Sequence, residues 1–105
     1  MNAGAIPAPA RHRGRFAPSP TGPLHFGSLV AALASACDAR HAGGEWLLRI
    51  EDVDLPRNRP GADSAILRTL ERFGFAWDGP VLRQSARADV YGDALRSLQR
   101  QGEVY

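Results

Sequence analysis

The sequence contains no lysine: all thirteen of its cationic side chains are arginine. Its one cysteine, Cys37, excludes a disulfide framework and by itself cannot build a zinc site. No apolar run approaches the ~20 residues of a membrane-spanning helix. A secretory signal needs an uninterrupted apolar core of ~7–15 residues, and Ile6 stands alone among prolines. The glycine-rich phosphate loop G-x-x-x-x-G-K-S/T is missing, which excludes a Walker-type nucleotidase. No internal repeat is visible.

What is present is ordinary in amount. The chain has 105 residues, 44% hydrophobic and 23% charged, the composition of one globular domain rather than a disordered tail or a fibre. Eleven acids against thirteen arginines leave a formal charge of +2, a mild bias toward anionic partners. The arginine excess, with abundant Ala, Gly and Pro, reads mainly as the imprint of a GC-rich genome.

Residues 1–13 hold prolines and basic side chains without a hydrophobic period and read as a flexible lead-in. Gly14–Ala17 is a strand candidate, stopped by the proline-rich run Pro18 to Pro23. From about Leu24 to Ala42, Phe26, Val30, Leu33 and Cys37 recur at helical spacing among alanines, and Gly43-Gly44 ends the helix. Trp46 to Ile50 is a nearly continuous apolar run that suits a buried parallel strand. A charged, proline-bearing loop covers Asp52 to Pro60. Ala62, Ile66, Leu70 and Phe73 then mark a second amphipathic helix, ended at Gly74. Val81-Leu82 is a short third strand, and Ser85 a candidate N-cap for a third helix with Val90, Tyr91, Ala94, Leu95 and Leu98 facing inward. Glu103-Val104-Tyr105 resembles the start of another strand. Strand alternating with helix predicts an α/β fold, a parallel sheet with crossover helices. In such sheets ligands bind beyond the carboxyl ends of the strands, here at Ala17 to Gly27.

Three groups of residues can carry chemistry. His25-Phe26-Gly27-Ser28 opens the first helix, where unpaired amides and the positive dipole end favour a phosphate. Gly27 leaves room for a close approach, His25 can donate an imidazole N–H to a phosphate oxygen as charge builds there, and Ser28 can add its hydroxyl. The plainer alternative is an ordinary helix start capped by His and Ser. Glu51, Asp52 and Asp54, at the end of the second strand, can hold a metal ion or a substrate ammonium group. Their plainer alternative is a solvated acidic turn with Arg49 paired to Asp52. Arg15 can grip a carboxylate through two parallel hydrogen bonds, as a lysine cannot, or be a simple surface charge. Trp46 and Trp77 read as packing residues, and Cys37 as a buried apolar filler on the small-residue face of the first helix.

Together, Arg15-Phe16-Ala17-Pro18-Ser19-Pro20-Thr21-Gly22, Leu24-His25-Phe26-Gly27-Ser28-Leu29 and Arg49-Ile50-Glu51-Asp52-Val53-Asp54 closely resemble the glutamyl branch of the class I aminoacyl-tRNA synthetases. His25 to Ser28 resembles the HIGH signature, with serine for the second histidine. The resemblance runs from about Gly14 to Tyr105. Ser28 to Leu33, Leu55-Pro56-Arg57 and Pro60-Gly61-Ala62 are more similar to a shorter paralogue than to the protein-synthesis glutamyl enzymes, which stay the alternative. A non-catalytic nucleotide- or RNA-binding remnant is a further alternative of another class.

The resemblance implies the Rossmann-type catalytic fold and a ligase acting in the cytoplasm as a monomer. It implies ATP with Mg2+ and L-glutamate as substrates, activation of glutamate as its adenylate, and transfer to queuosine in the anticodon loop of tRNA(Asp). By position, Arg15, Ala17, Ser19 and Glu51 would bind glutamate. His25, Gly27 and Ser28 would bind ATP, with His25 and Ser28 catalytic. Asp52 and Asp54 would shape the loop. The family's zinc cluster and its lysine-bearing second ATP signature match nothing here. The resemblance therefore implies that residues 14–105 are the first half of a catalytic domain, cut before the zinc-binding insertion and with little activity alone.

Overall fold

A computed structural model describes residues 11–105. The expected lead-in thus lies largely outside the described residues, and its last members are already engaged. The His12 carbonyl accepts a hydrogen bond from the Glu45 amide, and Arg13 begins the first strand.

In order, the elements are β1 (Arg13–Phe16), α1 (Phe26–His41), β2 (Glu45–Ile50), α2 (Ala62–Arg72), β3 (Leu82–Arg83) and α3 (Ala88–Arg100). The strands form one parallel sheet in the order β1-β2-β3. The α/β expectation holds. Parallel neighbours in register point to the same face, so pairing Gly14 with Trp46 and Arg15 with Leu47 sorts the sheet into two faces. One carries Trp46, Leu48 and Ile50, each at most 1% exposed. The other carries Arg13, Arg15, Leu47 and Arg49.

The buried face makes the core with Ile66 and Leu70 of α2. Fully burying each large apolar side chain contributes about 1.5–3 kcal/mol. Trp46 stacks between Phe16 and Phe75, with ring centroids 6.4 and 5.5 Å away. Its indole N–H donates to the Ser35 hydroxyl at 2.9 Å, so no polar group is stranded there. Trp77 packs on the rim of this cluster, as expected.

Helix α1 turns a different face inward from the one its large residues suggest. Ala32 and Ala39 are fully buried, while Phe26, Val30 and Leu33 are 82, 49 and 55% exposed and Cys37 is exposed too. The cause is close approach. A Cβ on Gly14 of β1 would sit 3.1 Å from that of Ala39, a gap that no leucine could enter. Cys37 is therefore on the outward face and is not a core filler. Gly44 marks another close approach, since a Cβ there would lie 2.1 Å from the His12 carbonyl oxygen.

Helix α3 also departs from expectation: Val90, Tyr91, Leu95 and Leu98 are 37–50% exposed. A two-residue β3 offers little sheet for this helix to cover. Residues Glu103–Tyr105 form no strand; the Glu103 amide donates to the Leu98 carbonyl and closes the helix end.

Asp78 ties the α2–β3 connection to β2. Its carboxylate accepts hydrogen bonds from the Trp46 amide at 2.9 Å and from Arg40 at 2.8 Å, and its amide donates to the Trp46 carbonyl. Those bonds, the Trp46 amide first, hold its carboxyl below the usual carboxylate range.

Candidate active site

The proline-rich loop after β1 is fixed by its own carbonyls. Pro18 accepts a hydrogen bond from the Glu51 amide at 3.0 Å, and Pro20 accepts one from the Arg59 amide at 2.9 Å. Three prolines limit the unfolded chain, so ordering this loop costs less entropy. The loop is thereby pinned to the end of β2 and to the stretch that follows it.

Beyond the loop, His25 is the N-cap of α1, in extended conformation. Its Nδ1 accepts a 3.2 Å hydrogen bond from the Ser28 amide. An accepting Nδ1 carries no proton, which leaves the ring proton on Nε2. The cap thus leaves Nε2 available as a donor, so the two readings of His25 do not conflict. Gly27 serves this arrangement, since a Cβ there would press to 3.1 Å on the imidazole. His25, Gly27 and Ser28 line, with Phe16, Ser19 and Thr21, an open cavity of about 430 Å³. That volume lies in the range of small-molecule sites, ~300–1,000 Å³. Thr21 was not singled out from sequence; its place in a loop bounded by prolines was the available signal.

Arg15, Ala17 and Glu51 do not line this cavity, and Arg15 belongs to the other face of the sheet. Arg15 lies there on β1, exposed and without an ion-pair partner among the described residues. Ala17 follows β1 and is half-buried, and Glu51 follows β2 beside Arg49. Ser19 lies in the loop and lines the cavity. The structure thus brings together Ser19, His25, Gly27 and Ser28, and leaves Arg15, Ala17 and Glu51 outside that lining.

The three acids after β2 have separate partners. Glu51 lies 3.7 Å from Arg49, so Arg49 pairs with Glu51 and not with Asp52. Asp52 accepts 2.7 Å hydrogen bonds from both the amide and the hydroxyl of Ser85. Burial works against its charge, but the Ser85 bonds outweigh burial and hold its carboxyl below the usual range. Asp54 pairs with Arg57 at 3.4 Å, and its carbonyl accepts the amides of Arg57 and Asn58. Asp52 and Asp54 are thus engaged in shaping the loop. Ser85 lies in the 3-10 turn Gln84–Arg87 ahead of α3, and its side chain serves Asp52 rather than capping the helix. Sequence reading missed this partnership because it spans 33 positions. Among the described residues no three His, Cys, Asp or Glu side chains converge as metal ligands.

Chemically, the cavity offers amides, a helix N-terminus and an imidazole donor for phosphate. Arg15 and Glu51 offer a guanidinium and a carboxylate, complementary to a molecule with a carboxylate at one end and an ammonium at the other.

Residues 12–105 match the family model described as tRNA synthetases class I (E and Q), catalytic domain. The chain is 67% identical over 94 residues to a glutamyl-Q tRNA(Asp) synthetase of Dechloromonas aromatica, covering 90% of this chain and 31% of that protein. It is 63% identical over 92 residues to the protein of the same name from Pseudomonas fluorescens, covering 88% and 31%. The chain thus spans about a third of the length of these curated relatives. A crystal structure of a glutamate tRNA ligase from Elizabethkingia meningosepticum, in complex with its amino acid, superimposes with a TM-score of 0.81 at 41% identity, over 87% of this chain and 20% of that one. With its parallel sheet, its capped α1 and its fixed loop, the chain belongs to the class I tRNA synthetase (E and Q) catalytic-domain family.

Proposed function

We propose that this chain is part of an enzyme that activates L-glutamate with ATP and transfers it to queuosine in the anticodon loop of tRNA(Asp). The observation that carries the reading is the His25 cap, which leaves Nε2 as the ring donor of a residue that lines the cavity at the start of α1. The names of the curated relatives support the acceptor.

In this reading Arg15, Ala17 and Ser19 hold glutamate, and Glu51 takes its ammonium group. An α-carboxylate oxygen attacks the α-phosphorus of ATP, the new O–P bond forms, and the bond to the departing pyrophosphate breaks. Negative charge builds on the phosphoryl oxygens, where the Nε2–H of His25, the α1 amides near Gly27 and the Ser28 hydroxyl stabilise it. Magnesium arrives with ATP as part of the substrate. The described residues do not fit a zinc site, and no step runs through one. An enzyme of this kind works in the cytoplasm beside its tRNA. No described helix is long and apolar enough to cross a membrane.

Labelled glutamate, ATP and two preparations of tRNA(Asp), with and without queuosine, test the acceptor in the full-length protein. Label on the queuosine-bearing tRNA alone is the expected result. Label on the 3′ end of tRNA(Glu) would instead assign the chain to a protein-synthesis enzyme.

A further inference from the structure

Glu51 and Asp52 are neighbours that the fold uses in different directions. Glu51 lies 3.7 Å from Arg49, a residue of the sheet face that carries Arg15. Asp52 reaches to the turn before α3 and accepts both the amide and the hydroxyl of Ser85 at 2.7 Å. Its carbonyl accepts the Asn58 side-chain amide at 2.7 Å. Beside it, Arg83 of β3 donates to Asp63 in the first turn of α2 at 2.6 Å. The start of α3 is therefore fastened to the end of β2 by side chains.

That fastening matters because α3 otherwise has weak support, with Val90, Leu95 and Leu98 41–50% exposed. One turn into α3, the ring of Tyr91 covers the Arg49 guanidinium, 5.8 Å from the ring centroid. Arg49 is itself hemmed in: its Nε is buried without a hydrogen-bond partner, and its side chain is 24% exposed. The guanidinium is held between Tyr91 and Glu51. Its attraction to each depends on distance, so a shift of α3 changes how strongly Arg49 neutralises Glu51.

We propose that Asp52 is a positioning residue: through Ser85 it holds Tyr91 over Arg49, and so sets the charge that Glu51 presents to the ammonium group of the amino-acid substrate. This rests on the reading of Glu51 given under Proposed function. Asp52 touches no substrate in this scheme. It acts on glutamate affinity through Ser85, Tyr91 and Arg49.

The test compares Asp52→Asn, Ser85→Ala, Tyr91→Leu and Tyr91→Phe in the full-length protein by glutamate-dependent ATP–pyrophosphate exchange. Asp52→Asn and Tyr91→Leu are expected to change KM for glutamate about tenfold, with KM for ATP within about twofold. Tyr91→Phe keeps the ring and is expected to restore the parent value. Combining Asp52→Asn with Ser85→Ala should be no worse than the stronger single change. A second readout needs no activity: the Arg49 Nε–H proton resonance should carry the Tyr91 ring-current shift and lose it in Asp52→Asn. Unchanged glutamate KM in folded Asp52→Asn, or equal changes for both substrates, would overturn the proposal. Absence of glutamate-dependent exchange in the unsubstituted protein would overturn the substrate reading and the proposal with it. The Arg49 resonance would then still report whether Asp52 holds Tyr91, which separates the two failures.

Discussion

The proposed reaction gives His25 a second job beside its cap, and substitution can separate the two. His25→Ala removes both the cap and the donor, and is expected to cost about 1 kcal/mol of stability and about 10²–10³-fold in adenylation rate. Asparagine is a good N-cap, so His25→Asn should recover most of the stability and little of the rate. Urea unfolding and pyrophosphate exchange on the same samples check both. Equal recovery of rate and stability would reduce His25 to a cap. A second residue-level expectation concerns Gly44, where a Cβ would lie 2.1 Å from the His12 carbonyl oxygen. Gly44→Ala must push β1 from β2 and is expected to cost about 2–3 kcal/mol, read as a lower urea midpoint. Both residues were visible in the sequence only as types. The signature pattern marked His25, but its tautomer needed the Ser28 contact, and Gly44 read as a helix stop rather than a crossing point.

At the scale of elements, the sequence was most legible where burial is two-sided. The run from Trp46 to Ile50 announced a central parallel strand, and Ala62, Ile66 and Leu70 announced α2, although Phe73, the fourth of that row, is the C-cap and 66% exposed. It was least legible in α1 and α3, because period alone does not say which apolar face meets the sheet. In α1 the large row Phe26, Val30 and Leu33 looked like the core face, yet the tight fit against Gly14 admits only alanine. This inversion can be measured. Leu33→Ser and Phe73→Ser should each change stability by less than about 0.5 kcal/mol, whereas Leu70→Ala should cost about 2–5 kcal/mol. A large loss in Leu33→Ser would show that α1 packs the other way round. Of the candidate site, the loop, the helix start and Glu51 were readable from local pattern. The partners of Asp52 and Arg49 were not, because side chains choose them only after α3 has folded back.

For the molecule as a whole, acid should act through three carboxylates. Asp52, Asp63 and Asp78 are all held below their ordinary range by hydrogen bonds: Ser85 overrides burial at Asp52, the Ser64 amide leads at Asp63, and the Trp46 amide at Asp78. A lowered folded pKa means that the unfolded chain binds more protons between the two values. Their stabilisation is therefore complete above the unfolded value, about 3.9, and is lost as pH falls through the folded values. Thermal midpoints should hold from neutral pH down to about 5 and then drop, with Asp52→Asn flattening the drop. In the proposed reaction the residues of the His25 cavity, with Arg15 and Glu51, join glutamate to the α-phosphate of ATP. The decisive measurement is amino-acid-dependent exchange of labelled pyrophosphate into ATP by the full-length protein. Exchange is expected with glutamate, little with glutamine or aspartate, and near-complete loss in Glu51→Gln and Arg15→Lys. Exchange that ignores the amino acid supplied, or survives in both variants, would contradict that reaction.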